Sequence, residues 1–248
     1  MASKPKRPGA SGLRANDHKR NLAMQIGLIA VVVIFAVGLI SYIVLSNNHK
    51  RDGANQAIRV TSAKLVTKDG TGEPKAVLEF YEDFLCPACG NLERAFGPTV
   101  SRLIDSGAIA ADYHMVAIVT GRDDYSMRAG AAAYCVADES NDAFRRFHTA
   151  LYTKEMQPEE TDTTFPDNNR LIELARQAGA GGSVPACINS GKYLKLVDGM
   201  ARAGGIHATP TLRINGEDYR PSTPEDLVAK IREIVGDVPG MEATAKES

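Results

Sequence analysis

The stretch Val77-Leu78-Glu79-Phe80-Tyr81-Glu82-Asp83-Phe84-Leu85-Cys86-Pro87-Ala88-Cys89 decides how this chain is read. Residues 76–81 are largely apolar and read as a strand. From about Pro87 to Ile104, Leu92, Phe96, Val100 and Leu103 recur every third or fourth position, the period of a helix with one buried face. Two cysteines with two residues between them stand at the join. A ring that small constrains the unfolded chain little, so it is poorly suited to permanent stapling. A helix N-terminus presents unpaired N–H groups and the positive end of the helix dipole, and a thiol there loses its proton more easily. Cys86 has that place, so it is the expected attacking and attacked sulfur. Cys89 lies one turn further in, should be more buried, and is the expected resolving sulfur. Pro87 suits the first helical turn, where its missing N–H costs nothing.

Working outward, residues 109–119 end in an apolar run typical of a covered strand, which completes a β-α-β unit. Residues 123–203 turn helical. Phe144, Phe147, His148, Leu151 and Tyr152 fall at helical spacing, with Asn141 as a candidate cap, and His148 on that stripe reads as a satisfied core histidine. Leu171, Ile172, Leu174 and Ala175 mark another helix. Ile188, Tyr193, Leu196, Val197 and Met200 mark a further one, broken near Asn189-Ser190-Gly191. Strand character returns at Thr211-Leu212-Arg213-Ile214, followed by an Asn215-Gly216 hairpin turn. Thr223-Pro224-Glu225-Asp226 opens a last helix with an N-cap, a proline at the first position and acids in the first turn. Upstream, residues 57–61 and 63–67 read as short edge strands. The pattern is an α/β sheet domain over 57–236, interrupted by a helical insertion over about 123–203, with 237–248 a frayed tail.

The N-terminus sets the expected compartment. Residues 26–45 form an uncharged, mostly apolar run of 20 residues, enough to span a bilayer core. Lys4, Lys6, Arg7, Arg14, Lys19 and Arg20 precede it, and that excess favours a cytoplasmic N-terminus. Ser46-Asn47-Asn48-His49 offers no small-x-small cleavage site, so an uncleaved signal anchor over 22–45 is expected rather than a cleaved signal peptide. Residues 1–21 read as a disordered cytoplasmic tail and 46–56 as a short stalk. The catalytic domain is then expected outside the cell membrane. The net charge of −1 provides no strongly basic surface for nucleic acid.

The other two cysteines lie in the helical insertion. Three pairings of four cysteines are possible. The reading is a structural Cys135–Cys187 disulfide closing a long loop, worth about 4 kcal/mol if the geometry allows. Two buried free thiols is the alternative, less fitting outside the cytoplasm. A zinc site needs four ligands, and neither cysteine belongs to a second paired motif, so no metal is expected. Pro210, in Gly204-Gly205-Ile206-His207-Ala208-Thr209-Pro210-Thr211, sits just before a strand. A cis bond there would expose the preceding backbone to an incoming peptide.

Taken together, Val77 to Cys89, the Gly204 to Thr211 segment and the helical stretch between them resemble the DsbA family of thioredoxin-fold thiol–disulfide oxidoreductases. More narrowly, the chain is similar to the membrane-anchored DsbA-like proteins of mycobacteria and related actinobacteria. The resemblance implies a thioredoxin-like fold with an inserted α-helical domain, Cys86 as nucleophile and Cys89 as resolving cysteine. It also implies substrate contact through Thr209 before a cis Pro210, and a second disulfide matching Cys135 and Cys187. Family members often carry a buried acid on the strand that serves the resolving cysteine. Glu79 is the nearest match, offset by one residue, with Glu82 and Asp83 as competitors. His207 lies near the expected substrate-binding loop and is a candidate to tune Cys86. Where well-known oxidases have Pro-His between the cysteines, this chain has Pro87-Ala88, which implies a milder oxidant.

The leading expectation is therefore a protein-disulfide oxidoreductase, without cofactor, that introduces disulfides into reduced secreted or cell-envelope proteins. The resemblance implies reoxidation by a membrane quinone-linked partner of the DsbB or vitamin-K-epoxide-reductase type. A reductase or isomerase on the same pair is the alternative enzyme. Residues 46–70 are too few to add a dimerisation domain, which counts against an isomerase, and a monomer is expected. A redox- or metal-sensing binding module is the non-enzyme alternative.

Overall fold

The computed structural model describes residues 56–119 and 123–242. The expected tail, anchor and all but the last residue of the stalk lie outside the described residues. Among those described, no helix is long and apolar enough to cross a membrane.

The elements follow the order β1 (Ile58–Val60), β2 (Val77–Glu82), α1 (Pro87–Asp105), β3 (Ala110–Met115), α2 (Tyr125–Glu139), α3 (Asn141–Leu151), α4 (Asn168–Gln177), α5 (Val184–Ser190), α6 (Leu194–Gly204), β4 (Thr211–Ile214), β5 (Glu217–Tyr219) and α7 (Pro224–Val235). The strands make one five-stranded sheet in the order β1-β3-β2-β4-β5. β2 and β3 run parallel, joined by the α1 crossover, and the other neighbours are antiparallel. The helices α2 to α6 all fall between β3 and β4, which is the insertion read from the sequence. Residues 63–67 form no strand; Thr67 makes a lone bridge to Pro74.

β2 lies at the centre, paired with β3 through Phe80–Tyr113 and with β4 through Phe80–Leu212. Side chains alternate between faces along a strand, so Leu78, Phe80 and Glu82 share one face. All three are fully buried. Burying a side chain the size of Leu78 or Phe80 stabilises the fold by about 1.5–3 kcal/mol each, whereas Glu82 at the end of that row brings a carboxyl into the same interior. β3 is buried along its whole length. Its Asp112 is held there by a bidentate pair with Arg59 of β1, at 2.7 and 2.6 Å.

Local signals account for the element ends. Thr223 and Asp226 form a reciprocal capping box at the start of α7. Ser140, rather than Asn141, caps α3: its hydroxyl accepts from the Ala143 N–H, while the Asn141 amide donates to the Arg59 carbonyl. The helical pattern around Cys187 breaks where expected, because Gly191 adopts φ 65°, a left-handed conformation that costs a glycine little. The Cys135–Cys187 disulfide ties α2 to α5 across a sequence separation of 52 residues, with Cα atoms 5.8 Å apart.

Candidate active site

Strand β2 ends in a turn that is fixed from behind. The buried Asp83 carboxylate accepts the Leu85 N–H through one oxygen and the Ile118 and Val119 N–H groups through the other, each at 2.9 Å. Its pKa is raised by burial, against the pull of those donors. From the front, the Gln157 amide donates to the Cys86 carbonyl at 2.9 Å and the Phe84 carbonyl at 3.4 Å. Gln157 presses so closely on Gly90 that a Cβ there would collide with its side-chain oxygen. Arg94 completes the clamp, donating to the Tyr152 carbonyl at 2.6 Å and to Gln157 at 3.1 Å.

This turn delivers Cys86 to the N-cap of α1, with Pro87 in the first turn. Both cysteines are free thiols. Cys86 keeps 6% exposure and Cys89 none, so only the first can be reached from outside. The Cys86 thiol is pulled down to about 6, foremost by the hydrogen bond from the Cys89 thiol. The Thr209 side chain and the Cys89 and Ala88 backbone N–H groups add to this, against the cost of burial. Cys89 moves the opposite way, pushed far up by burial first, then by its hydrogen bond to Cys86 and the nearby charges of Glu82 and Cys86. The Thr209–Pro210 peptide is cis. The Cys86 thiol donates to the Thr209 carbonyl at 3.4 Å, so the loop before β4 stands directly against the more accessible sulfur of the pair.

Behind Cys89 lies a buried polar group. Burial pushes Glu82 up to about 8, and the nearby Cys86 charge adds to this while a hydrogen bond from Glu93 opposes it. His148 Nε2 and Glu82 Oε2 are 2.8 Å apart. On the other side of the ring, His148 Nδ1 faces Glu93 Oε2 at 3.7 Å. His148 is held below its ordinary value by burial, partly offset by Glu93. It is packed among the rings of Phe84, Tyr113, Phe144 and Tyr152. A shielded acid with a pKa near neutrality beside a buried thiol can exchange a proton with it.

Comparison with known proteins agrees with this geometry. A thioredoxin family model matches residues 66–233. The reduced crystal structure of DsbA from Mycobacterium tuberculosis is 66% identical, covering 75% of this chain and 95% of that one, with a TM-score of 0.73. The chain belongs to the thioredoxin family, among its DsbA-like members. A reduced disulfide-bond oxidoreductase (DsbG) of the same organism is 65% identical over 77% of this chain and 95% of its own, with a TM-score of 0.74. Over 147 residues the chain is also 27% identical to the M. tuberculosis serine/threonine-protein kinase PknE, and it spans 25% of that kinase's length. The DsbA-like chain is thus a protein-disulfide oxidoreductase of thioredoxin-like fold.

In this DsbA-like domain Cys86, Cys89, Thr209 and Pro210 come together although Cys86 and Thr209 are 123 residues apart in the chain. Glu79 does not join them, which corrects the expectation that it is the acid behind the resolving cysteine. It sits on the opposite face of β2 from Glu82, where its carboxylate accepts the Gly216 N–H at 2.9 Å and the Tyr81 hydroxyl at 3.4 Å. Glu79 is raised by burial, but in a setting formed by Gly216, Asp112, Arg213 and Tyr81 rather than by the cysteines. His207 is exposed on the loop before Pro210. His148 is buried as expected, yet it partners acids rather than filling space alone. Glu93 was not singled out by its sequence position: it lies on the helix stripe between Cys89 and Phe96, and the signal was an acid on a face otherwise facing the interior.

Proposed function

We propose that the chain is an extracytoplasmic oxidase that passes the Cys86–Cys89 disulfide to reduced secreted or cell-envelope proteins. The observation that carries this reading is the asymmetry of the pair: a Cys86 thiol pulled down to about 6 beside a Cys89 thiol held far above its ordinary value. A stabilised Cys86 thiolate favours the reduced form, and so makes the disulfide form a willing donor.

The reaction runs in balanced steps. A substrate thiolate attacks Cys86 Sγ; the Cys86–Cys89 bond breaks and its electron pair leaves on Cys89 Sγ. Glu82, protonated at neutral pH, gives that sulfur its proton. The second substrate thiolate attacks the substrate sulfur of the mixed disulfide, and the electron pair leaves on Cys86, which remains a thiolate. Two electrons have passed from substrate to enzyme, and the substrate leaves as a disulfide. In the reverse half of the cycle the Cys86 thiolate attacks one sulfur of the oxidant's disulfide, and that bond's electron pair leaves on the oxidant's other sulfur; Glu82 removes the Cys89 proton, and the Cys89 thiolate attacks Cys86 Sγ, closing the ring as the electron pair of the mixed disulfide leaves on the oxidant.

Substrate main chain is held by Thr209 against Cys86. Side chains find a cleft of about 220 Å³ lined by Leu92, Ala208, Pro210, Leu212, Tyr219 and Pro221. The apolar run at 26–45 anchors the chain with its N-terminus inside, and a membrane quinone-linked partner reoxidises the pair. Anchoring raises the effective concentration of the two. The enzyme works as a monomer. Oxidative refolding of a reduced protein, with the redox state of Cys86 and Cys89 trapped by alkylation in cells, tests the reading. Refolding activity lost in Cys86→Ser and a mainly oxidised pair are expected. A mainly reduced pair would overturn the oxidase direction in favour of a reductase.

A further inference from the structure

Each catalytic cycle puts one proton on Cys89 and takes one off, and neither Cys89 nor Glu82 has any exposed surface. Glu82 must therefore be reprotonated and deprotonated from somewhere. We propose that His148 and Glu93 conduct this proton between Glu82 and a surface cavity beside Glu93, so that helix α3 of the insertion serves the cysteines of the sheet domain. This inference rests on Glu82 being the acid–base partner of Cys89.

The geometry traces a path of rising exposure. The Glu82 and His148 side chains are 0% and 4% exposed, and Glu93 is 9% exposed. Glu93 lines a cavity of about 350 Å³ together with Arg94, Gly97, Ser101, Thr149 and Tyr152. The two carboxyls stand at opposite ring nitrogens, Glu82 at Nε2 (2.8 Å) and Glu93 at Nδ1 (3.7 Å). Three such groups can in principle gather round a metal ion. One polar atom of each group lies within 4.8 Å of the others, a closeness that also suits handing a proton between the three. Glu82 and Glu93 each retain one carboxyl oxygen without a hydrogen-bond partner among the described residues.

The remaining neighbours are committed elsewhere or hold their protons too tightly. From α1 and its N-cap the facing groups are Cys89 and Cys86; from β3 it is Tyr113, and after α3 it is Tyr152, both phenols raised by burial. Asp83 is committed to three backbone N–H groups, and Arg94 to Tyr152 and Gln157. Arg145 is engaged by Asp105 at the rim. When Cys89 has taken the Glu82 proton, Glu93 delivers one proton to His148 Nδ1 while the Nε2 proton passes to Glu82. The ring stays neutral and only its tautomer changes. In the reoxidation half the transfers run backwards, which restores the tautomer, and no electrons move.

Chemical rescue tests this. In the full-length chain, the rate of disulfide reduction by dithiothreitol is measured across neutral pH in Glu93→Ala, Glu93→Gln and Glu82→Gln, with and without formate. Glu93→Ala is expected to slow the step on the order of tenfold, less than the ~100-fold that loss of the acid–base group itself brings. Formate, admitted through the cavity, should restore the rate. Glu93→Gln keeps the shape and should show the loss without rescue, and alkylation of Cys86 should proceed at the parental rate in both. If Glu93→Ala is as fast as the parent while Glu82→Gln is slow, the conduction route is wrong and the Glu82 reading stands. A slow Glu93→Ala that formate does not restore makes Glu93 a packing residue and also overturns the route. If Glu82→Gln is not slowed, the acid–base reading itself fails.

Discussion

Glu82→Gln should make this protein more stable and a poorer catalyst at the same time. The Glu82 carboxyl is fully buried and its pKa is pushed from 4.5 up to about 8. A carboxyl whose folded value lies above its unfolded one contributes its full stability below the unfolded value. That contribution is lost as pH rises through the folded value, here a window from about pH 4.5 to about 8. At about pH 7 the penalty relative to acid conditions is about 3 kcal/mol, at roughly 1.4 kcal/mol per pH unit between the unfolded pKa and the working pH. Glutamine removes the ionisation and keeps most of the shape. Weakening the contact to His148 gives back about 1 kcal/mol. The net gain near neutrality is about 2 kcal/mol, or a rise in Tm of roughly 4–8 °C for a domain of this size. Urea titrations of the dithiol form of parent and variant, at about pH 5 and about pH 7, measure it. The gain should be present at the higher pH and close to zero at the lower one. An equal effect at both, or a destabilised variant at neutral pH, would refute the assignment of a raised Glu82.

Other expectations follow from the same geometry. Cys89→Ala removes the leading cause of the low Cys86 value, so ultraviolet titration of the Cys86 thiolate should shift from about 6 back toward 9.0. Cys135→Ala with Cys187→Ala should cost about 4 kcal/mol in denaturant unfolding, from the loop the disulfide closes, and leave that thiolate titration unmoved. Gln157→Ala deletes the bonds to the Cys86 and Phe84 carbonyls; it should cost about 1–2 kcal/mol and speed amide exchange in the turn that carries the cysteines.

What the sequence made legible was whatever depends on neighbours along the chain. The strand-to-helix placement of Cys86, the N-cap at Thr223 and the break at Gly191 are each written within a few residues, and each appears in the structure. Pairings across the fold were less accessible. Glu79 and Glu82 are chemically alike, and only strand parity separates them: Glu82 shares its face with Leu78 and Phe80, Glu79 with Tyr81. That count favours Glu82, and family position alone pointed to the wrong face. Nothing local joins Glu93 on α1 to His148 on α3, because their meeting depends on how the insertion packs against the sheet. Likewise the choice of Ser140 over Asn141 as cap was settled by Arg59, whose carbonyl drew the asparagine away.

The hydrogen bond between His148 and Glu82 also bears on how such a fold can be cut or rebuilt. A helical segment inserted between two strands looks like an accessory that could be deleted or exchanged for another. Here it supplies the imidazole, His148, that is hydrogen-bonded to Glu82, an acid sealed inside the sheet layer. Trimming α2 to α6 away would expose or strand that acid, so a minimal version of this domain needs a second change at position 82. For redesign, strand β2 and the inserted helix α3 are therefore a single unit.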